Sequence, residues 1–176
     1  MIFETNRLII RNFRDEDRAI FTAIAGKPEV RLYHARQVSR ANSDAFIDRR
    51  IETINEFGCG YAVVERKADR AVVGDVGMRP MKGDMPFSDD VHYDIGWMLD
   101  PKYFGNGYAS EAAMGWLGYG FRDPHSGEVV AYTSTLNTAS INVMKRIGMT
   151  RDRAKDFDHP RVAEGHPLRR QIVYSI

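Results

Sequence analysis

The stretch best equipped for chemistry is Lys102-Tyr103-Phe104-Gly105-Asn106-Gly107-Tyr108-Ala109, a turn with two glycines between a strand pattern and a helix pattern. Glycine reaches backbone angles closed to other residues and lets a ligand approach the main chain. Several N–H groups of the turn can then converge on one point, and the helix behind them adds roughly half a positive charge. Such a turn cradles a phosphate or diphosphate without any net charge on the protein. Each amide bond to a phosphate oxygen is worth ~1.5–3 kcal/mol, so four or five would hold a diphosphate. A plain strand-to-helix corner would use the same glycines, and the spacing alone leaves both readings open. Two familiar phosphate loops are excluded. A dinucleotide fingerprint wants a third glycine where Ser110 stands, and no Gly-Lys-Ser/Thr follows at P-loop spacing.

The elements that must position this turn follow from periodicity. From Val91 to Leu99 the odd residues are Val, Tyr, Ile, Trp and Leu, and the even ones are His92, Asp94, Gly96 and Met98. That alternation predicts a strand with the odd set on a buried face. Pro101 ends it, and a helix is expected from about Ala109 to Gly120, with Ala112, Ala113, Trp116 and Leu117 as its apolar side. Upstream, Leu8 to Arg11 reads as a strand. A helix then opens at Asp15-Glu16-Asp17, whose charges suit a first turn, and stops at Gly26. Ile47, Ile51 and Ile54 recur at helical spacing within a helix from Ser43 to Phe57. Tyr61 to Glu65 and Ala71 to Met78 read as a hairpin, and Pro80 to Asp90 as a polar connection of the kind that borders sites. Downstream come a strand at Val129 to Thr135, a helix at Ala139 to Ile147 stopped by Gly148, and strands near Met149 to Phe157 and Gln171 to Ser175. The order β-α-α-β-β-β-α-β-α-β-β predicts an α/β (α+β) fold around a mixed sheet.

Composition narrows the classes. The 176 residues make about one domain's worth, and no repeat or linker divides them, so one domain over 1–176 is expected. With 43% hydrophobic and 28% charged residues the chain is ordinary globular material. Twenty-five Lys and Arg against 24 Asp and Glu give a formal charge of +1, so no global field gathers nucleic acid or anionic membrane. The one cysteine, Cys59, excludes a disulfide framework and any cysteine zinc cluster. The opening residues lack an apolar run behind a basic head, so a cytoplasmic protein is expected. Asp156, Asp158, His159 and His166 could be imagined around a metal, but a charged, proline-linked loop is the plainer reading, and no metal is expected. An apolar edge strand could make a homodimer; nothing in the sequence commits to one.

Residues Ile95 to Ala112, Ile-Gly-Trp-Met-Leu-Asp-Pro-Lys-Tyr-Phe-Gly-Asn-Gly-Tyr-Ala-Ser-Glu-Ala, resemble the acetyl-CoA segment of GNAT-superfamily N-acetyltransferases, with Lys102 where that family usually has Arg or Gln. Downstream, Asn137-Thr138-Ala139-Ser140, running on to Ile147-Gly148-Met149, resembles the family's Asn-x-x-Ser helix. The opening Thr5-Asn6-Arg7-Leu8 and the closing His159-Pro160 to Arg170 are similar to the subgroup that includes ribosomal-protein N-terminal acetyltransferases. The likeness spans essentially the whole chain in order.

The resemblance implies a GNAT fold: a mostly antiparallel sheet of about seven strands, with the fourth and fifth splayed apart, and about four helices. It implies acetyl-CoA as cosubstrate, its pantetheine arm along the backbone of Trp97, Met98 and Leu99 and its diphosphate on residues 105 to 110. Asn137 would bond pantetheine and Asn142 would reach the far half of the cofactor. The implied reaction is direct attack of a primary amine, on a peptide N-terminus or a small molecule, upon the thioester in a ternary complex. Ser140 is the candidate general acid for the sulfur, the Met98 N–H would polarise the carbonyl, and Asp94 is the candidate base through a water. Ser140 could instead satisfy a helix N-terminus, and Asp94 could simply pair with an arginine. Glu164 is a reserve candidate for the acceptor side. A non-catalytic coenzyme A-binding module of the same fold is the alternative.

Overall fold

The computed structural model describes residues 1–33, 40–81, 86–87, 93–120 and 127–176. Along them run β1 (Phe3–Glu4), β2 (Leu8–Arg11), α1 (Asp17–Gly26), α2 (Pro28–Arg31), α3 (Arg40–Phe57), β3 (Tyr61–Arg66), β4 (Val72–Pro80) and β5 (Tyr93–Leu99). A 3-10 turn (Pro101–Tyr103) leads to α4 (Tyr108–Gly120), β6 (Val129–Ser134), α5 (Thr138–Arg146), β7 (Thr150–Asp158) and β8 (Arg170–Ser175). The eight strands form one sheet in the order β1-β2-β3-β4-β5-β6-β8-β7. Every pairing is antiparallel except β5 with β6.

All seven expected strands and four expected helices are present. The additions are β1 and α2, of two and four residues, too short for periodicity to reveal. Val91, His92 and residues 82–85 and 88–90 of the polar connection lie outside the described residues. Local chemistry explains the ends. Gly58 stops α3 with φ +68, and its N–H donates to the Ile54 carbonyl. Gly148 takes φ +87 after α5, and the Met149 N–H reaches back to the Met144 carbonyl, a left-handed helix stop.

Alternation along the strands sorts residues between two covered faces rather than between core and water. On one face Leu8, Ile10, Ala62, Val64, Val76, Ile95 and Leu99 meet Ala112, Ala113 and Trp116 of α4. Trp116 is fully buried, and its indole N–H donates to the Val76 carbonyl at 2.9 Å. On the other face Val63 meets Phe13, Phe21 and Ile47 around α1 and α3, with Met98 against them. That second face also carries most of the buried charge. Arg11 joins Asp17 and Glu65, Arg50 of α3 pairs with the buried Asp75, and Arg79 pairs with Asp94. Asp94 is therefore 3% exposed although the strand pattern sets it opposite the apolar residues. Among the described residues, no helix is long and apolar enough to cross a membrane.

Candidate active site

β5 and β6 run side by side only at their beginnings. Tyr93 pairs with Val129 and Asp94 with Val130, and there the ladder ends. Beyond it β5 keeps β4 on its far side through Leu99, while β6 is paired to β8 through Ser134. With no pairing beyond Asp94 and Val130, the two strands diverge. The edge of residues 95–99 that faces the gap has no strand beside it among the described residues, so its main-chain polar groups need another partner. A cleft of about 300 Å³ opens along this gap.

The cleft brings together most of the residues singled out from the sequence: Trp97, Met98 and Leu99 of β5, then Gly105, Gly107, Tyr108, Ala109 and Ser110 at the start of α4. Asn137, Ser140 and Asn142 line it from α5. Asn106 does not; its side-chain amide donates to the carbonyls of Tyr103 and Phe104 and braces the turn from within. Lys102 is not part of the lining either. Val30 and Tyr33, at and just after α2, and Val143 add apolar wall. Two charged residues that the sequence did not single out complete the lining: Glu29 of α2 and Arg146 in the last turn of α5. The ion pair of Lys27 with Asp100, at 2.6 Å, fastens α2 to the end of β5 and so fixes this wall.

The turn itself has the properties of an anion cradle. Gly105 and Gly107 both take φ +78, where a side chain is strained. Among the described residues no main-chain carbonyl accepts from the N–H groups of residues 105–110; the first amide so used is that of Glu111, which donates to Gly107. The Ser110 hydroxyl is buried and also lacks a partner. Unpaired donors gathered at a helix start suit a diphosphate, and the apolar walls suit a pantetheine arm. Replacing Gly107 with alanine costs about 1–2 kcal/mol of left-handed strain. We expect coenzyme A affinity to fall roughly tenfold, read by titration calorimetry; unchanged affinity would show that the turn does not hold the ligand.

Two side chains dock the opening segment onto this helix start. The Thr5 hydroxyl donates to Glu111 Oε1 at 2.6 Å, the Arg7 N–H to the same oxygen at 2.8 Å, and Arg7 Nε to Oε2 at 2.6 Å. Partial burial works against ionisation of Glu111, but these hydrogen bonds outweigh it and hold the carboxyl below its usual range.

Ser140 is neither a backbone cap nor free. Its oxygen accepts from the Trp97 indole N–H at 3.1 Å, which links α5 to β5 across the cleft. Its hydroxyl proton has no acceptor among the described residues, so it can be donated into the cleft. The capping falls to Asn137, whose Oδ1 accepts from the Ser140 N–H at 3.2 Å and whose Nδ2 donates to Thr133 Oγ1 at 3.0 Å. Asn137 thus ties the serine to the end of β6, leaving one amide hydrogen and one lone pair for a ligand.

Asp94 lies elsewhere. It is not in the lining; its two oxygens are taken by Arg79, Nε to Oδ1 at 2.7 Å and Nη2 to Oδ2 at 3.1 Å. Burial lifts its carboxyl above the usual range, with the Arg79 guanidinium opposing that rise. The arginine-paired alternative is the one the geometry adopts, and the carboxylate that does line the cleft is Glu29. The tail carboxylates serve their hairpin. Asp156 is bound by Arg151 and accepts the Val173 N–H, and Asp158 pairs with Arg170.

The family model of the acetyltransferase (GNAT) domain matches residues 7–150. The chain belongs to this family. As a GNAT acetyltransferase it is similar to the N-acetyltransferase YnaD of Bacillus subtilis, 29% identical over 153 residues that cover 86% of this chain and 84% of the relative. Among solved structures it resembles a GNAT-family acetyltransferase from Bacillus anthracis, 27% identical with TM-score 0.79 over 98% of this chain and 96% of the other. It shares its fold with the ribosomal-protein-S5-alanine acetyltransferase from Vibrio fischeri, 17% identical with TM-score 0.75 over 99% and 94% of the two chains. The acetyltransferase thus uses acetyl-CoA.

Proposed function

We propose that the enzyme moves the acetyl group of acetyl-CoA onto a primary amine, a protein N-terminal α-amine or that of a small molecule, by direct attack in a ternary complex. The observation that carries this reading is the Ser140 hydroxyl, held by Trp97 on the wall of the β5–β6 gap with its proton unassigned. Residues 105–110 bind the diphosphate, and the gap-facing main chain of Trp97 and Leu99 aligns the pantetheine. The Met98 N–H is not available for the thioester carbonyl: Met98 stands opposite Asp75 with its carbonyl against Gly74, so its main chain faces β4, and a gap-facing N–H of Trp97 or Leu99 polarises that carbonyl instead. Asn137 positions Ser140, and Asn142 and Arg146 face the distal half of the ligand. The amine nitrogen bonds to the carbonyl carbon, the carbon–sulfur bond breaks, and Ser140 protonates the departing sulfur. The amine's own proton passes to water, and water returns a proton to the Ser140 oxygen, so the enzyme ends the turnover unchanged. With Asp94 committed to Arg79, the acceptor must arrive largely neutral, which favours an α-amine near pKa ~7.7–8.0 over a lysine near ~10.4. Glu29, in the cleft wall, is a hydrogen-bond acceptor for the incoming neutral amine.

Incubation with acetyl-CoA, a panel of peptides, polyamines, amino acids and aminoglycosides, and a thiol-trapping dye tests the reading. Thiol release that requires an added amine is expected, with intersecting initial-rate lines when both substrates are varied. Tight coenzyme A binding with no release across the panel would favour the non-catalytic module instead. For an α-amine acceptor, kcat/KM is expected to rise with pH and level off near ~8 as the amine deprotonates. A profile flat from pH 6 to 9 would show that a residue of the enzyme takes the proton.

A further inference from the structure

We propose that Arg7, from the opening Thr-Asn-Arg segment, is a phosphate ligand of the coenzyme. This rests on the acetyl-CoA reading of the cleft and adds to it a cation that no loop glycine can provide. Arg7 is half exposed, and only its Nε is used, donating to Glu111 at 2.6 Å. Its terminal nitrogens, Nη1 and Nη2, have no hydrogen-bond partner among the described residues. Its guanidinium sits over the Tyr108 ring, 4.6 Å from the ring centre, and a side chain begun at Gly107 would come within 3.6 Å of Nη2. Gly107 and Tyr108 both line the cleft. The free edge of the fork therefore stands at the rim of the amide cradle, with four N–H bonds still to give.

Three contacts fix it there. Glu111 takes the Arg7 main chain and Nε together, Thr5 holds the same carboxylate, and Tyr108 supports the ring face. A guanidinium so oriented loses little further freedom on meeting an anion and binds phosphate oxygens in pairs. The unpartnered, buried Ser110 hydroxyl one turn along is a second, independent sign that this helix start is built for a polar ligand. Arg7 also separates two kinds of help. Main-chain amides select any anion of the right size, whereas a guanidinium at the rim adds a full charge and an ionic-strength dependence.

The coenzyme carries phosphate in two places, the diphosphate and the ribose 3′-phosphate, and the test distinguishes them. The full-length enzyme and its Arg7→Ala and Arg7→Gln variants are titrated with acetyl-CoA and with its 3′-dephospho form, and are assayed with S-acetyl-pantetheine, which has no phosphate. Arg7→Gln keeps an amide donor for Glu111 and removes only the charge, so it covers the case in which Arg7→Ala folds poorly. Both variants are expected to bind acetyl-CoA about tenfold more weakly or worse and to lose part of the salt dependence of binding. The KM for S-acetyl-pantetheine should not change. An equal loss with the dephospho form assigns Arg7 to the diphosphate, and a loss confined to acetyl-CoA assigns it to the 3′-phosphate. Unaltered acetyl-CoA affinity in Arg7→Gln overturns the proposal and leaves the acetyl-CoA reading standing, as does an equal rise in KM for S-acetyl-pantetheine, which would mark Arg7 as structural. Failure of the unsubstituted enzyme to bind acetyl-CoA would remove both.

Discussion

Replacing Ser140 with alanine is expected to lower turnover roughly 10²–10⁴-fold, the range of a well-placed general acid, with coenzyme A affinity nearly unchanged. The asymmetry follows from where the hydroxyl lies. Its oxygen is occupied by the Trp97 N–H at 3.1 Å, and the main-chain bond that starts α5 belongs to Asn137, so removing the hydroxyl leaves the helix cap in place. On the proposed mechanism, what is lost is the proton donor to the sulfur, and with it the oxygen that the Trp97 N–H supports as negative charge builds there. A hydrogen bond to a charged oxygen is worth ~1.5–3 kcal/mol, so Trp97→Phe should cost about 10–100-fold in turnover with a smaller effect on binding. Acetyl donors whose thiol is more acidic leave without help, and with them the Ser140→Ala deficit should shrink. If Ser140→Ala turns over at the normal rate, the sulfur takes its proton from solvent and the acid role is withdrawn.

How much of this could be read from the chain depended on the distance between interacting residues. Gly105 and Gly107 were legible because a turn that needs φ near +78 admits few residues other than glycine, and both are there. Trp116 was legible as core because its spacing with Ala112 and Ala113 is helical and local. The role of the Thr5–Arg7 opening was not, because its partner Glu111 is 104 residues from Arg7 and only the folded chain brings them together. Glu29 and Tyr33 escaped notice because α2 has four residues, fewer than a periodic pattern requires. Trp97 shows a subtler limit. Alternation places it with Ile95 and Leu99, yet it is half-buried, because the divergence of β5 and β6 uncovers that part of the sheet. Asp94 shows the converse. Its face was correctly assigned, but its availability was not legible. That depends on Arg79, which faces it across the β4–β5 register.

The second large effect is on stability. Arg11→Ala is expected to cost about 3–5 kcal/mol, the loss found when one partner of a buried ion cluster is removed. Arg11 is 5% exposed, Asp17 is fully buried and Glu65 is 2% exposed, so none of the three can be rescued by bulk water. One guanidinium serves them all. Nη1 and Nη2 donate to the two Asp17 oxygens at 2.7 and 2.9 Å, Nε donates to Glu65 at 2.6 Å, and Nη1 also reaches the Asn12 carbonyl at 3.1 Å. Burial alone would weaken its charge, but the two carboxylates outweigh that and hold its pKa above the usual arginine value. Arg11→Lys supplies one compact charge that cannot fork between two carboxylates, so it should recover only part of the loss. Urea unfolding monitored by circular dichroism measures both, and a loss under about 1 kcal/mol for Arg11→Ala would mean that water enters the cluster. The consequence reaches the cleft by a definite route. The cluster fixes the start of α1 on β2 and β3, α1 leads into α2, and Lys27 locks their junction to Asp100. A loosened α1 therefore releases the wall formed by Glu29, Val30 and Tyr33. Arg11→Lys, where it remains folded, should accordingly weaken coenzyme A binding, whose pantetheine arm meets that apolar wall, as well as raise the KM for the acceptor.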